Sequence, residues 1–308
     1  MDTPGARTRK VRAIVGFIVG VALIGAAIVA LASNREDFQA SIDSARHAPL
    51  WMLGAVVVLP MANAIIVSWS FWLLMRRLGR VPFADMFHLI CSSWLLNYLP
   101  LRPGLVGRLV YHKLVHGVSL KASVAVSVAL ALMTALGAGH MLAIGMSFGW
   151  GVLEGLGVLA ATTLMIYFFA GLAAQHTPAR IFAKKDLRYA LLCRYADHAV
   201  WTLRFWISFA VVGAPIDLHT AILVAGAVQI AYLFPLTGAG MGVVEWAVGA
   251  VAAFMITSVS PEMGIAAALV CRVAELPATI ISGLVGSGFI AKGRARLGNS
   301  PDLHASEA

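Results

Sequence analysis

Glu245 closes a stretch, Phe234-Pro235-Leu236-Thr237-Gly238-Ala239-Gly240-Met241-Gly242-Val243-Val244-Glu245, that interrupts a long apolar region. Proline lacks the N–H that a helix needs. Each of Gly238, Gly240 and Gly242 weakens a helix by about 1 kcal/mol. Non-helical backbone at membrane depth survives only where protein buries it or where it lines a wet cavity. A carboxylate just after such a break is a candidate for function. The plainer reading is a tight turn near the surface whose Glu faces headgroups.

A second break carries cations instead. Asn97-Tyr98-Leu99-Pro100-Leu101-Arg102-Pro103-Gly104 ends a short apolar run, and Arg108 and Lys113 follow. The planar donor fork of arginine matches phosphate oxygens, and free backbone N–H groups at a broken helix would add to it. Arg102, Arg108 and Lys113 therefore form a candidate site for an anionic lipid headgroup. Ordinary charge anchoring at the membrane surface is the competing account.

Three further sets of charges lie in apolar surroundings. Asp197, Trp201, Arg204 and Ser208 recur at steps of four, three and four, which places them on one helical face. Such a stripe faces the bundle interior or water, or else Asp197 and Arg204 pair structurally. Arg272 and Glu275 stand three apart and can pair on one helix. A lone deep charge is costly, so Arg272 is also placed to meet Glu245. The candidate headgroup or cleft residues are thus Asn97, Arg102, Arg108, Asp197, Arg204, Glu245, Arg272 and Glu275. The structural breaks are Pro100, Pro103, Gly104, Pro235, Gly238, Gly240 and Gly242.

A catalytic constellation is not visible. His88, His112, His116, His140 and His198 occur in no zinc-protease arrangement. His112 and His116 are four apart, but in a Lys-containing, interfacial segment, and no metal is assigned. Neither a G-x-S-x-G elbow nor a P-loop is present. The expectation is a non-enzyme with no cofactor and no ATP-driven step. Cys91, Cys193 and Cys271 are widely spaced and read as small apolar packing residues.

The elements that must position these residues follow from composition. The chain of 308 residues is 60% hydrophobic and 12% charged, against about 25% charged in a soluble domain. It reads as an all-α polytopic membrane protein, with residues 1–308 as a single integral membrane domain. Residues 1–12 form a basic cytoplasmic N-terminus and residues 292–308 a polar cytoplasmic tail. Full spans are predicted at Ala13–Ala32, Pro49–Met75 with Pro60 as a kink, Ala122–Phe148, Val152–Ala173, Tyr195–Val212 and Met263–Ile290. The first is read as an uncleaved helix despite Ala30-Leu31-Ala32, which resembles a signal-peptidase site. Ser33–Ala48 is polar and lies outside. The broken pieces are Asp85–Leu99 with its continuation, and His219–Leu233 with Trp246–Thr257.

Lysine and arginine mark the inside near residues 12, 76–80, 180–194 and 292–296. These marks agree only if each broken piece contributes an even number of crossings. The predicted architecture is therefore about six full transmembrane helices plus two re-entrant helical hairpins that open from opposite sides. Opposed breaks in two halves are the signature of an inverted repeat around a midplane site.

At these two breaks the chain resembles the flippase-like transmembrane family, the membrane part of lysylphosphatidylglycerol synthases. The family's first motif runs Asn, Leu-Pro, a basic residue, Gly-Glu and Arg. Here it reads Asn97, Leu99-Pro100, Arg102, Gly104 and Arg108, with Leu105 in place of the Glu. An acidic–Arg pair in the following span is also missing near Ser127–Ala131. The second motif resembles Pro-Ile-Thr-Pro-Gly-Gly-Leu-Gly-Val-x-Glu. Here it runs from Pro235 to Glu245, with Gly238 for the second proline, and Arg272 matches an Arg of the last span. The resemblance covers most of the chain.

The resemblance implies handling of phospholipids between leaflets of a bacterial inner membrane. No soluble aminoacyl-transferring domain is read in the sequence, so lipid aminoacylation is not expected. The leading expectation is a phospholipid or lipid-linked-precursor translocator that is not ATP-driven. Its partners would be membrane lipids with an anionic headgroup, not nucleic acid. The alternative is a non-transporting accessory or scaffold subunit of an envelope lipid or polysaccharide synthesis enzyme.

Overall fold

The computed structural model describes residues 4–100, 103–176, 183–233, 237–256 and 258–298. These residues form an integral membrane protein built from helices. The chain begins with α1 (Pro4–Ser33) and α2 (Arg35–His47), followed by α3 (Leu50–Met75), the short pair α4 (Phe83–Leu96) and α5 (Pro103–His116), then α6 (Leu120–Phe148) and α7 (Val152–His176). The second half has α8 (Lys184–Val211), the short pair α9 (Leu218–Leu233) and α10 (Val243–Met255), and α11 (Pro261–Gly298). A one-turn 3-10 helix, Gly238–Gly240, lies between α9 and α10.

Local chemistry sets these ends. Asn34 caps α2 by accepting a hydrogen bond from the Asp37 N–H, with Glu36 and Asp37 in the first turn and Arg46 and His47 in the last. The polar stretch Ser33–Ala48, to which the sequence assigns no secondary structure, is thus largely a helix. Asp37 accepts a 2.6 Å bond from Ser260, tying α2 to the turn before α11. Pro103 opens α5, where its missing N–H is harmless. Pro103 and Gly104 therefore stand at the start of the helix that follows the interruption after Leu96. Gly104 is needed for close packing, because a methyl there would strike the Ser93 carbonyl. Pro60 lies inside the continuous α3.

Five stretches are long and apolar enough to cross a membrane among the described residues. One of them, Gly238–Met255, is helical only from Val243, after a turn with Ala239 at φ 48° and Gly242 at φ 76°. At 1.5 Å per residue the 14-residue α4 and α5 reach about 21 Å, short of the ~30 Å hydrocarbon core. α8 is long enough but carries charge; Asp186, Arg194, Asp197 and Arg204 on it are all buried. It is the polar spine of the bundle.

α3 and α8 pack antiparallel. Arg76 and Arg77 meet Asp186, Arg194 bonds Ser70, and Arg204 bonds Asn63, so one number falls as the other rises. Around this pair the contacts are reciprocal: α4 packs on α11, and α9 packs on α6. Gly283 and Gly286 of α11 allow the first approach, and Gly145 of α6 with Gly226 of α9 the second. This is the contact pattern of α3–α6 and α8–α11 as two inverted copies.

Candidate functional site

The two short-helix pairs enter the bundle from opposite faces. The open end of the first lies near Gly79, which packs on the His116 carbonyl, at the face that bears Arg76, Arg77 and Asp186. The open end of the second lies by the α10–α11 turn, whose Ser260 meets α2. Their tips meet in the middle. A methyl on Gly238 would sit 3.1 Å from the Tyr98 carbonyl oxygen and 3.3 Å from that of Asn97.

A cavity of about 300 Å³ opens at this meeting point. Its walls come from both halves: Asn97 and Tyr98 at one tip, Ala239 and Gly240 at the other, with Trp201 of α8 and Tyr232 of α9 beside them. Arg194, Asp197, Arg204 and Glu275 supply its charges, two of each sign. They belong to one polar chain. Glu275 of α11 accepts a 2.5 Å bond from Arg204, and Arg204 donates to Asn63 Oδ1 at 3.2 Å. Asn63 Nδ2 donates to Asp197 Oδ1 at 2.7 Å. Asp197 faces Arg194 at 3.6 Å, and Arg194 donates to Ser70 at 2.7 Å. The Arg204 guanidinium also lies 3.9 Å over the Trp201 ring.

The stripe of Asp197, Trp201, Arg204 and Ser208 thus points inward, as its spacing requires. Arg272 and Glu275 do not pair with each other. Arg272 turns to Glu245 at 2.8 Å and Glu275 to Arg204, because the two residues face different neighbours across the bundle. Arg272 also donates to the carbonyls of Ala239 at 2.9 Å and Gly240 at 3.4 Å. Those oxygens belong to the non-helical turn, so one guanidinium serves both the carboxylate and the broken backbone. Glu245 is fully buried in the first turn of α10, where the helix dipole favours an anion. Glu245 and Arg272 stand behind the cavity wall instead of lining it.

Arg108 lies elsewhere. It is buried, stacks 3.9 Å over Phe71 of α3 and donates to Ser127 of α6 at 3.4 Å. No carboxylate lies within ion-pair distance of it among the described residues. It borders a second cavity of about 330 Å³ between α4, α5 and α11, with Ser92, Ser93 and Ser287 as the other polar walls. Lys113 is exposed, and it lies five positions on from Arg108, about 140° around the helix. The expected cluster of Arg102, Arg108 and Lys113 is therefore not formed by the latter two. Arg102 and Pro235 lie outside the described residues.

The sequence does not single out Asn63, the hub of the polar chain, or Tyr232; it gives Tyr98 only as part of the first break, and Arg194 only as a cation of an inside loop, whereas Arg194 is buried within α8. A lone amide in a 26-residue apolar helix was the available signal. Among the described residues, no group of three or more His, Cys, Asp or Glu could hold a metal ion.

No curated protein matches the chain. The sequence model of the lysylphosphatidylglycerol synthase TM region matches residues 17–283, a span that holds both broken motifs, the polar chain and the α3–α8 axis. With this match over most of its length, the chain belongs to the lysylphosphatidylglycerol synthase TM region family, whose name places it among membrane proteins of lipid-related processes.

Proposed function

We propose that the protein is a lipid translocator that passes a phospholipid or lipid-linked headgroup between leaflets without ATP and without a catalytic centre. The observation that carries this reading is the contact of Gly238 with the Tyr98 and Asn97 carbonyls at a cavity walled by both halves. Two half-crossing hairpins that enter from opposite faces and touch at a polar cavity form a barrier that either one can open. Alternating access needs such a two-sided barrier around a central site. In this reading the cationic face of Arg76, Arg77 and Lys184 is cytoplasmic in a bacterial inner membrane, with both termini on that side. The carboxylate-free Arg108 receives an anionic phosphate group from there, and the central cavity, with balanced charges, passes it on.

The test is dithionite quenching of fluorescent phosphatidylglycerol in vesicles containing the purified full chain. Leaflet exchange faster than in protein-free vesicles, and reduced by Arg204→Met with folding intact, supports the reading. Exchange at the protein-free rate would overturn it.

A second reading has its own observation. Arg204, Asp197, Arg194 and Arg272 are already paired within the protein, as in a rigid scaffold. A non-transporting accessory subunit of an envelope lipid or polysaccharide enzyme would show no exchange alone and would co-purify with a synthase.

A further inference from the structure

Beside the Arg108 cavity lies a chain of titratable groups that lipid passage does not use. Asp85 Oδ2 of α4 lies 3.1 Å from His116 Nε2, and His116 Nδ1 lies 3.1 Å from His112 Nδ1. The chain runs inward: the Asp85 side chain is 19% exposed, that of His116 3%, and His112 is fully buried. Its inner end, His112 Nε2, has no partner among the described residues. His112 is one helical turn from Arg108, so the two side chains share a face of α5.

The hydrogen-bond geometry fixes the protons. A carboxylate only accepts, so His116 Nε2 carries hydrogen. In the neutral pair His116 Nδ1 then accepts from His112 Nδ1–H, and His112 Nε2 is a bare lone pair sealed from water. One proton bound at His112 Nε2 gives the rings three N–H hydrogens and one positive charge. A shift of the Nδ1 hydrogen from His112 to His116 then leaves His112 neutral and places the positive charge on a doubly protonated His116, beside Asp85. Asp85 favours the charged form and the Arg108 guanidinium opposes it. Among the described residues, Gly79 of the α3–α4 connection packs on the His116 carbonyl, Tyr111 meets the His116 ring edge-on, Ser127 of α6 bonds Arg108, and His88 of α4 is stacked on Phe289 of α11.

We propose that Asp85, His116 and His112 form a proton-binding relay, linked to occupancy of the Arg108 cavity by an anionic phosphate headgroup. The anion offsets the charge of Arg108 and so admits the proton; by reciprocity the proton strengthens anion binding. The proposal rests on the headgroup reading of Arg108, and not on translocation.

The experiment is a pH titration of ring-15N histidines in the full chain, in nanodiscs of phosphatidylcholine alone or with phosphatidylglycerol. Exposed His47 reports the surface pH. Phosphatidylglycerol is expected to raise the midpoint of the His112–His116 pair by roughly one pH unit beyond the His47 shift. Arg108→Gln removes that excess, and Asp85→Asn lowers the midpoint. A pair that moves only as much as His47, or that keeps one protonation state from about pH 4 to pH 9, overturns the relay. Should Asp85→Asn not fold, the wild-type lipid comparison decides alone. An excess shift without leaflet exchange in vesicles would leave the relay standing and remove translocation; exchange without the shift would do the reverse.

Discussion

Arg272 holds Glu245 at 2.8 Å and, with its remaining donors, the carbonyls of Ala239 and Gly240. The ion pair thereby anchors the irregular turn of the second hairpin to α11. Both side chains are buried, and Glu245 wholly so. Removing one partner of a buried pair leaves the other charge uncompensated and costs about 3–5 kcal/mol. Glu245→Gln is therefore expected to lower the thermal midpoint of the purified protein sharply, read by fluorescence-detected gel filtration after heating. Glu245→Gln combined with Arg272→Gln should recover part of the loss. A single variant as stable as the parent would show that the pair does not anchor the turn.

The first half lacks this anchor. Glu245 is the third residue of α10, and the third residue of α5 is Leu105. Arg272 is the twelfth residue of α11, and the twelfth of α6 is Ala131. Under the reciprocal packing of the two halves, counterparts of Glu245 and Arg272 are both absent from the first. Hairpin one is then the more easily moved of the two. Hydrogen exchange should be faster in α5 than in α10, and equal protection would refute that difference.

Asn63 bridges Arg204 and Asp197, each of which has its ion-pair partner elsewhere, in Glu275 and Arg194. Asn63→Leu preserves bulk in α3 but strips a bond from each charge. Leaving buried partners unsatisfied costs about 1–3 kcal/mol each, so a clear loss of stability is expected. Asn63→Asp, which keeps the acceptor for Arg204 but sets a like charge beside Asp197, should be worse than Asn63→Gln. The same heating assay ranks the three, and an unchanged Asn63→Leu would remove Asn63 from its central place.

How far these relationships were legible in the sequence differs residue by residue. Pro235, the three glycines and Glu245 announced the second hairpin because each violates the rules of a lipid-facing helix. The α8 stripe was legible because helical spacing alone fixes its face. Of the two partners the sequence leaves open to Arg272, the fold takes Glu245: spacing of three permits contact with Glu275, but tertiary neighbours at 2.8 Å and 2.5 Å offer each a better partner. The sequence leaves Arg108 as either a headgroup contact or a surface anchor, and its burial against Phe71 is set by tertiary packing that spacing does not reveal. Asn63 was hidden in the apolar pattern of α3, where composition averages erase a single amide. α2 was missed because its capping and charge placement matter more than its low hydropathy.

The tip contact offers a direct trap. Cysteines in place of Tyr98 and Gly238, in a background free of Cys91, Cys193 and Cys271, would sit on backbone segments in contact. A short bifunctional thiol reagent should join them. If the hairpins separate during lipid passage, the cross-linked protein exchanges lipid at the protein-free rate, and cleaving a reducible linker restores it. Full exchange through the cross-linked protein would place the lipid path elsewhere.

Arg108 separates charge from geometry. Its guanidinium lies 3.9 Å over the Phe71 ring, borders the α4–α5–α11 cavity and finds no carboxylate among the described residues. Under the proposed function, this buried cation without a carboxylate receives an anion from outside the protein. Arg108→Gln should slow exchange of phosphatidylglycerol about tenfold, the equivalent of one charge-assisted bond of about 1.5 kcal/mol. Arg108→Lys keeps the charge but loses the planar stack and the donor fork, and should fall between the two. Equal rates for all three, with folding intact, would assign Arg108 to packing against Phe71 alone.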